Sequence, residues 1–374
     1  MQYSRRISLS LTAAFLLLVF GMPLSQAALE LARGDRPHAL ELLLHVPTKA
    51  NLRQFERELD NAAWAIRRSR PWMQLLQFTV LHHAGRDTLP GRNGWFFFRP
   101  GVRYLVEPLP EPARDTAPLA AILAFKAELD ARGIALVVMP APGKASVYPE
   151  LLTRRALGHM APMNRHTLDL LARLRHAGVD VVDLSALFCG SERPGLYLAQ
   201  DSHWSPEGME RAAGAVARHL FDRGLVKPGG TEYAERPAPV ERLGDLILMM
   251  QSPPVERLFA PERVDCRQVV QADSGTLYED DPASEVLVLG DSFLRIYQLD
   301  EPGAAGFTAH LARHLGRPVA SVINDGGAST LVRQELARTP ELLANKRVVV
   351  WEFVERDIRF GTEGWQIVPL PPPS

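Results

Sequence analysis

The chain is predicted to form an α/β protein, a mainly parallel sheet covered by helices on both faces behind an N-terminal helical extension. Short β-branched runs at 134–139, 286–289, 319–323 and 348–353 read as buried strands. Helical patterns lie between them, the alternation expected of a parallel sheet. Two short strings, Asp201-Ser202-His203-Trp204 and Gly290-Asp291-Ser292-Phe293, fall beside the predicted strand ends. Open α/β sheets bind their ligands there.

The first element is an export segment. Arg5 and Arg6 precede an apolar stretch over 7–24 that ends in Ser25-Gln26-Ala27-Ala28, the charged, apolar and small-residue pattern of a signal peptide. Cleavage after Ala27 is expected, with an uncleaved anchor as the alternative, since the stretch is short for a comfortable span. Ser4-Arg5-Arg6-Ile7-Ser8-Leu9 also resembles a twin-arginine signal, with Ser8 in place of the preferred aromatic. No later stretch approaches a membrane-spanning length, so a soluble body outside the cytoplasm is expected. The organisation read from the sequence is a signal at 1–27, a helical extension at 28–89, and the main domain at 90–374 with an insertion at about 222–285.

The extension owes its helical pattern to Leu52, Phe55, Leu59, Ala63 and Ile66, at spacings of three and four. Its cluster Arg67-Arg68-Ser69-Arg70 reads as a solvated helix face. A Gly91-Arg92-Asn93-Gly94 turn leads into Trp95-Phe96-Phe97-Phe98, a buried strand or hairpin. A helix over 118–132 precedes the first sheet strand, and a helix over 162–176 precedes a strand over 179–184. Ser205, Pro206 and Glu207 start a helix that runs to about Phe221: a cap, a first-turn proline and an early acid.

Composition excludes little. With 374 residues, 46% hydrophobic and 23% charged, the chain is an ordinary globular protein of one large or two smaller domains. A net charge of −1 gives no electrostatic reason to bind nucleic acid. Cys189 and Cys266 pair or remain two free thiols; they lack zinc-site spacing, and no metal or cofactor is expected. His310 and His314, four apart on a helix without the glutamate of a zinc protease, read as exposed.

The two strings hold the three residue types that activate a serine for acyl chemistry. A histidine takes the hydroxyl proton, and a carboxylate orients the histidine and stabilises its cation. Each string alone is weak, since Asp291 or Ser292 could simply cap a helix and Asp201 could cap the next one. Their joint occurrence in an exported α/β chain favours a serine acyltransferase or esterase.

These strings resemble the SGNH hydrolase-like family of exopolysaccharide O-acetylation proteins, the AlgX/AlgJ-like proteins of alginate O-acetylation. Asn93-Gly94-Trp95-Phe96-Phe97, Pro140-Ala141-Pro142-Gly143-Lys144 with Val147-Tyr148-Pro149, and Val350-Trp351-Glu352-Phe353 with Arg356 resemble further family segments, so the likeness runs from about residue 90 to 357. The family's permuted order, Asp-x-His before the serine, is also the order here. The resemblance implies an SGNH-like three-layer sandwich, with Ser292 as nucleophile, His203 as general base and Asp201 as its orienting partner. It offers Asn324 as an oxyanion donor, against simple turn chemistry in Asn324-Asp325-Gly326-Gly327. Lys144 and Tyr148 line the acceptor groove or lie on a solvated loop, and Trp204 walls the pocket or is core. The resemblance implies a periplasmic O-acetyltransferase with a polysaccharide acceptor, most plainly alginate, and a membrane-bound acyltransferase partner as acetyl source. No C-terminal carbohydrate-binding domain is expected, which places the chain nearer AlgJ. A carbohydrate esterase with the same residues, or a non-catalytic polysaccharide-binding scaffold, are the alternatives.

Overall fold

The N-terminal apolar stretch folds as part of one long helix. α1 (Gln2–Leu16) passes through a π turn (Leu17–Gly21) into α2 (Met22–Arg33), which stops at Gly34 with φ 86°, a left-handed C-cap that glycine adopts without penalty. The chain stays helical past residue 24, and the helix over Leu9–Arg33 is long and apolar enough, by length and composition, to cross a membrane, a test that an export signal and an anchor both meet. α3 (Trp64–Leu81) follows. The computed structural model describes residues 2–37, 40, 48–49, 51–53, 55, 63–108, 118–158, 164–189, 195–325, 327–361 and 364–372. Leu59, Pro162 and Gly326, used in the sequence reading, lie outside them. The chain divides into two units, Met1–His82 with Gln251–Val255, and His83–Met250 with Glu256–Ser374.

The second unit opens with the hairpin expected at the aromatic run: β1 (Thr88–Pro90) pairs antiparallel with β2 (Phe96–Phe98). After α4 (Pro118–Asp130) come β3 (Ala135–Ala141), α5 (Arg165–His176), β4 (Asp180–Val181) and α6 (Pro206–Asp222). Only two residues of the strand predicted at 179–184 pair in the ladder. Asp183 turns the chain away by accepting the Ser185 backbone N–H at 3.0 Å, a local bond that competes with strand pairing. Ser205 caps α6 through the Gly208 N–H at 3.2 Å, as its sequence foretold.

The insertion folds as β5 (Tyr233–Pro237) paired with β8 (Arg267–Gln271) and β6 (Val240–Arg242) paired with β7 (Glu262–Val264), both antiparallel. Then follow β9 (Val286–Gly290), α7 (Phe307–Leu315), β10 (Ala320–Ile323), α8 (Leu331–Arg338) and β11 (Val348–Val354). The central sheet has the order β10-β9-β11-β3-β4, parallel throughout.

Alternation along the strands builds the three layers. Val137, Met139, Val286, Val288, Val348 and Val350 share a core with the buried faces of α6 and α7. The alternate residues Leu136, Val138, Leu287, Leu289, Val349 and Trp351 share the other core with α4, α5 and α8. Both faces are covered, which is why the strands read as continuous apolar runs. Cys189 and Cys266 form no disulfide with each other, and burial pushes the Cys266 thiol up to about 12. His310 is buried, not exposed as the sequence reading held: its Nε2 lies 3.1 Å from the Arg267 carbonyl, because α7 packs that side against β8.

Candidate active site

The carboxyl ends of four strands converge on one rim of the sheet. Gly290 ends β9, Ile323 ends β10, Ala141 ends β3 and Val354 ends β11. Beyond β9 the chain turns sharply: Asp291 accepts the Phe293 N–H at 2.9 Å and Ser292 begins a helical turn, Ser292–Arg295. A Cβ on Gly290 would sit 2.5 Å from Glu352 Oε2 and 2.5 Å from Leu294 Cδ1, so a larger residue there would have to displace these buried side chains.

Ser292 Oγ lies 2.8 Å from His203 Nε2. On the far side of the ring, His203 Nδ1 lies 2.7 Å from Asp201 Oδ1, which also accepts the His203 backbone N–H at 3.0 Å. The backbone bond holds the Asp201 carboxylate against the ring, and because Asp201 stays ionised, Nδ1 carries the proton and donates it to Asp201 while the Nε2 lone pair faces the serine. Asp201 is fully buried and His203 nearly so, while Ser292 is partly exposed. Solvent therefore reaches Ser292 before it reaches the histidine or the aspartate.

The electrostatics suit proton transfer. Burial works to raise the Asp201 carboxyl, but the His203 charge, its hydrogen bond and Arg242, with Nη2 3.3 Å away, hold it well below its ordinary value. For His203, burial disfavours the cation, yet the Asp201 charge, its bond and Asp245 outweigh it, so the imidazole is a stronger base than usual; Arg356 opposes.

Three residues from the insertion hold the Asp201–His203 loop, and sequence reading missed all of them. Glu262 accepts the N–H groups of Ala199 at 2.9 Å and Gln200 at 2.8 Å. Asp245 accepts Ser202 N–H at 2.7 Å and Ser202 Oγ at 2.5 Å, with its Oδ2 3.6 Å from His203 Nδ1. Arg242 pairs with Asp201. Burial and the Asp201 charge raise the Asp245 carboxyl. These residues lie far along the chain in short strands and loops, so no local periodicity marked them.

Two sequence expectations are corrected. Lys144 and Tyr148 neither line an open groove nor sit on a solvated loop, since both are buried. The Lys144 ammonium donates to the Ala199 and Asp201 carbonyls, each at 2.9 Å, and lies 4.9 Å from the centre of the Trp95 ring. Burial lowers it to about 7, against the pull of Asp201, Glu262 and Asp245. Tyr148 Oη accepts the Leu196 N–H at 3.0 Å. Trp204 is core: fully buried, it donates Nε1 to the Phe293 carbonyl at 3.1 Å and stacks on Phe307. It thereby ties the histidine loop to the serine turn. Asn324 stands at the end of β10, beside Gly290, and its amide donates to Glu335 at 2.8 Å.

Behind the serine lies a carboxyl group cluster. Glu352, fully buried, accepts the Asp291 N–H at 3.3 Å; burial and Asp291 raise it well above the usual carboxylate range. Burial and Asp291 likewise raise Asp357 to about 7. The Arg356 guanidinium lies over Phe98 at 5.0 Å and Phe293 at 5.7 Å, and among the described residues it makes no side-chain hydrogen bond or ion pair.

Among the described residues, two groups of side chains bring metal-ligand atoms together. In one, His203 Nδ1 is committed to Asp201 and Asp245 to Ser202. In the other, Arg313 faces Glu210 at 2.5 Å and Glu235 at 2.9 Å, and Arg267 faces Glu235 at 3.0 Å.

A parallel sheet with a serine at one strand end, hydrogen-bonded to a histidine and through it to an aspartate, defines an SGNH-like protein built for acyl chemistry. Residues 88–355 match the model of the SGNH hydrolase-like domain, acetyltransferase AlgX, and the chain belongs to that family. It is 26% identical over 313 residues to the probable alginate O-acetylase AlgJ of Pseudomonas aeruginosa, covering 77% of this chain and 74% of that one. The fold is similar to that of the O-acetyltransferase domain of Pseudomonas putida AlgJ, with a TM-score of 0.58 at 23% identity, covering 74% of this chain and 93% of that one. Pseudomonas aeruginosa AlgX gives a TM-score of 0.54 at 21% identity, covering 71% of this chain and 62% of that one.

Proposed function

We propose that this chain is an exported O-acetyltransferase that carries acetyl groups on Ser292 and passes them to hydroxyls of an exopolysaccharide, with alginate as the acceptor. The relay from Ser292 through His203 to Asp201, in a chain of an acetyltransferase family, is the observation that carries this reading.

As Ser292 Oγ attacks the donor's acetyl carbonyl, His203 Nε2 takes the hydroxyl proton and Asp201 stabilises the imidazolium. The Ser292 backbone N–H, with Asn324 as second donor, receives the oxyanion. Collapse breaks the bond to the donor's leaving group, which departs with the His203 proton and leaves acetyl-Ser292. A sugar hydroxyl then loses its proton to His203 and attacks the acetyl carbonyl, and Ser292 recovers its proton as it leaves. Arg356, stacked over Phe98 and Phe293 and acting by its charge on Asp291, Glu352 and Asp357 without a short ion pair to any of them, takes the carboxylate of a uronate acceptor. The acetyl donor is supplied by a membrane-bound acyltransferase, and the N-terminal helix holds the chain at the periplasmic face of the inner membrane.

The test is transfer against hydrolysis. With p-nitrophenyl acetate and mannuronate oligosaccharides, mass spectrometry of the sugars should find acetylated oligomers that vanish in Ser292→Ala. Free acetate alone, released at a rate indifferent to the sugar, would make the protein an esterase instead.

A further inference from the structure

The cluster Arg67-Arg68-Ser69-Arg70, which the acyl chemistry does not use, lies on a helix with an unusual surface. Trp72, Met73, Leu76 and Val80 of α3 are 62%, 53%, 54% and 63% exposed. At 3.6 residues per turn they fall on one face. Arg68 and Arg70 flank this stripe on either side, and all three arginines are exposed without an ion pair among the described residues. Leu75 and Phe78, opposite the stripe, are partly buried. Four large apolar side chains in water are an unfavourable surface unless something covers them.

The start of α3 is fastened to the N-terminal helix. The Trp64 backbone N–H donates to Gln26 Oε1 at 2.9 Å, and its indole N–H donates to Ser25 Oγ at 3.2 Å. The apolar stretch over 7–24 rises about 27 Å at 1.5 Å per residue, close to the thickness of a bilayer's hydrocarbon core. Arg5 and Arg6 precede it, the cytoplasmic mark of the positive-inside rule. Ser25 and Gln26, and Trp64 with them, then fall at the opposite interface, the depth at which tryptophan is enriched. An apolar face edged by arginines, starting at that level, is the pattern of a helix lying in the interface plane.

We propose that α3 lies on the outer surface of the membrane that the N-terminal helix crosses, with Trp72, Met73, Leu76 and Val80 in the headgroup–acyl boundary and Arg68 and Arg70 reaching anionic headgroups. The proposal rests on the retained anchor described under Proposed function. Lipid is favoured over a protein partner because both edges of the stripe are cationic and the same unit carries the span.

The test places single spin labels at Met73→Cys, Leu76→Cys, Val80→Cys and, as reference, Arg67→Cys, in a full-length Cys189→Ser/Cys266→Ala background. The chains are reconstituted in vesicles of phosphatidylethanolamine and phosphatidylglycerol. The labels at 73, 76 and 80 should lose collisions with a water-soluble nickel chelate and gain collisions with oxygen, while that at 67 stays open to nickel. Release of the chain from vesicles by alkaline carbonate would overturn the anchor and this inference with it. A chain that stays bound but keeps 73, 76 and 80 as nickel-accessible as 67 would overturn the surface helix alone. Shielding seen only in native membranes, and not in lipid vesicles, would assign the stripe to a protein partner and equally overturn it.

Discussion

Asp201 serves four partners at once. One oxygen takes the ring and backbone N–H of His203; the other faces Arg242 at 3.3 Å and accepts the Asp245 N–H at 3.3 Å. Asp201→Asn keeps the shape but turns an N–H toward the ring, so the wrong tautomer forms; kcat should fall by about 10,000-fold. Asp245→Asn is expected to act differently. Its charge helps raise His203, and the group acts as a base only when neutral, so activity is lost as pH falls through its pKa. Removing that charge should move the acid limb of the kcat/KM profile to lower pH, with kcat at high pH reduced far less than in Asp201→Asn. An unmoved limb would show that Asp245 only shapes the loop. Lys144 gives a stability test. Its folded value, about 7, lies below that of an ordinary lysine, so between the two the unfolded chain binds more protons. Its contribution to stability therefore rises with pH from about 7 toward the ordinary lysine value. Lys144→Met should flatten that rise in denaturant titrations at several pH values. Leaving the carbonyls of Ala199 and Asp201 without this donor should also cost about 1–3 kcal/mol for each one that water cannot reach.

The histidine loop depends on an element that looks peripheral. A Cβ at Gly244 would lie 2.1 Å from the Gln200 carbonyl oxygen, and the flanking Arg242 and Asp245 both contact the Asp201–His203 segment. Gly244→Ala should push the loop off Ser292 and lower kcat much more than it lowers the melting temperature. Equal losses in both would mean that the insertion is ordinary scaffold. This element also marks the limit of what sequence reveals. The strands of the central sheet were legible because burial on both faces leaves continuous β-branched runs, and Ser205-Pro206-Glu207 marked the start of α6 through local bonds. The two strings that hold Asp201, His203 and Ser292 stood out by residue chemistry, and the structure brings these residues together, Asp201 and His203 in the loop before α6 and Ser292 just after β9. Glu262, Asp245 and Arg242 did not stand out: each acts across tens of residues through one or two polar bonds, with no periodicity. Lys144 was seen but misplaced, because a cation beside a reactive loop reads as groove lining when it in fact supports the loop from beneath, whereas for Trp204 burial decides between the two readings, pocket wall and core, in favour of core.

For the molecule as a whole, the N-terminal unit supplies a helix long enough for a membrane and the second unit supplies a family fold for acetyl transfer. The anchor predicts that full-length protein sediments with membranes after a carbonate wash, whereas cleavage after Ala27 would release it. The account turns on Ser292 carrying the acetyl group. Intact-mass analysis of the protein after brief exposure to p-nitrophenyl acetate reads this directly. One acetyl adduct, mapped to Ser292 and lost in both Ser292→Ala and His203→Ala, is the expected result. A wild-type chain that gains no adduct, or gains it equally in both variants, would contradict the account.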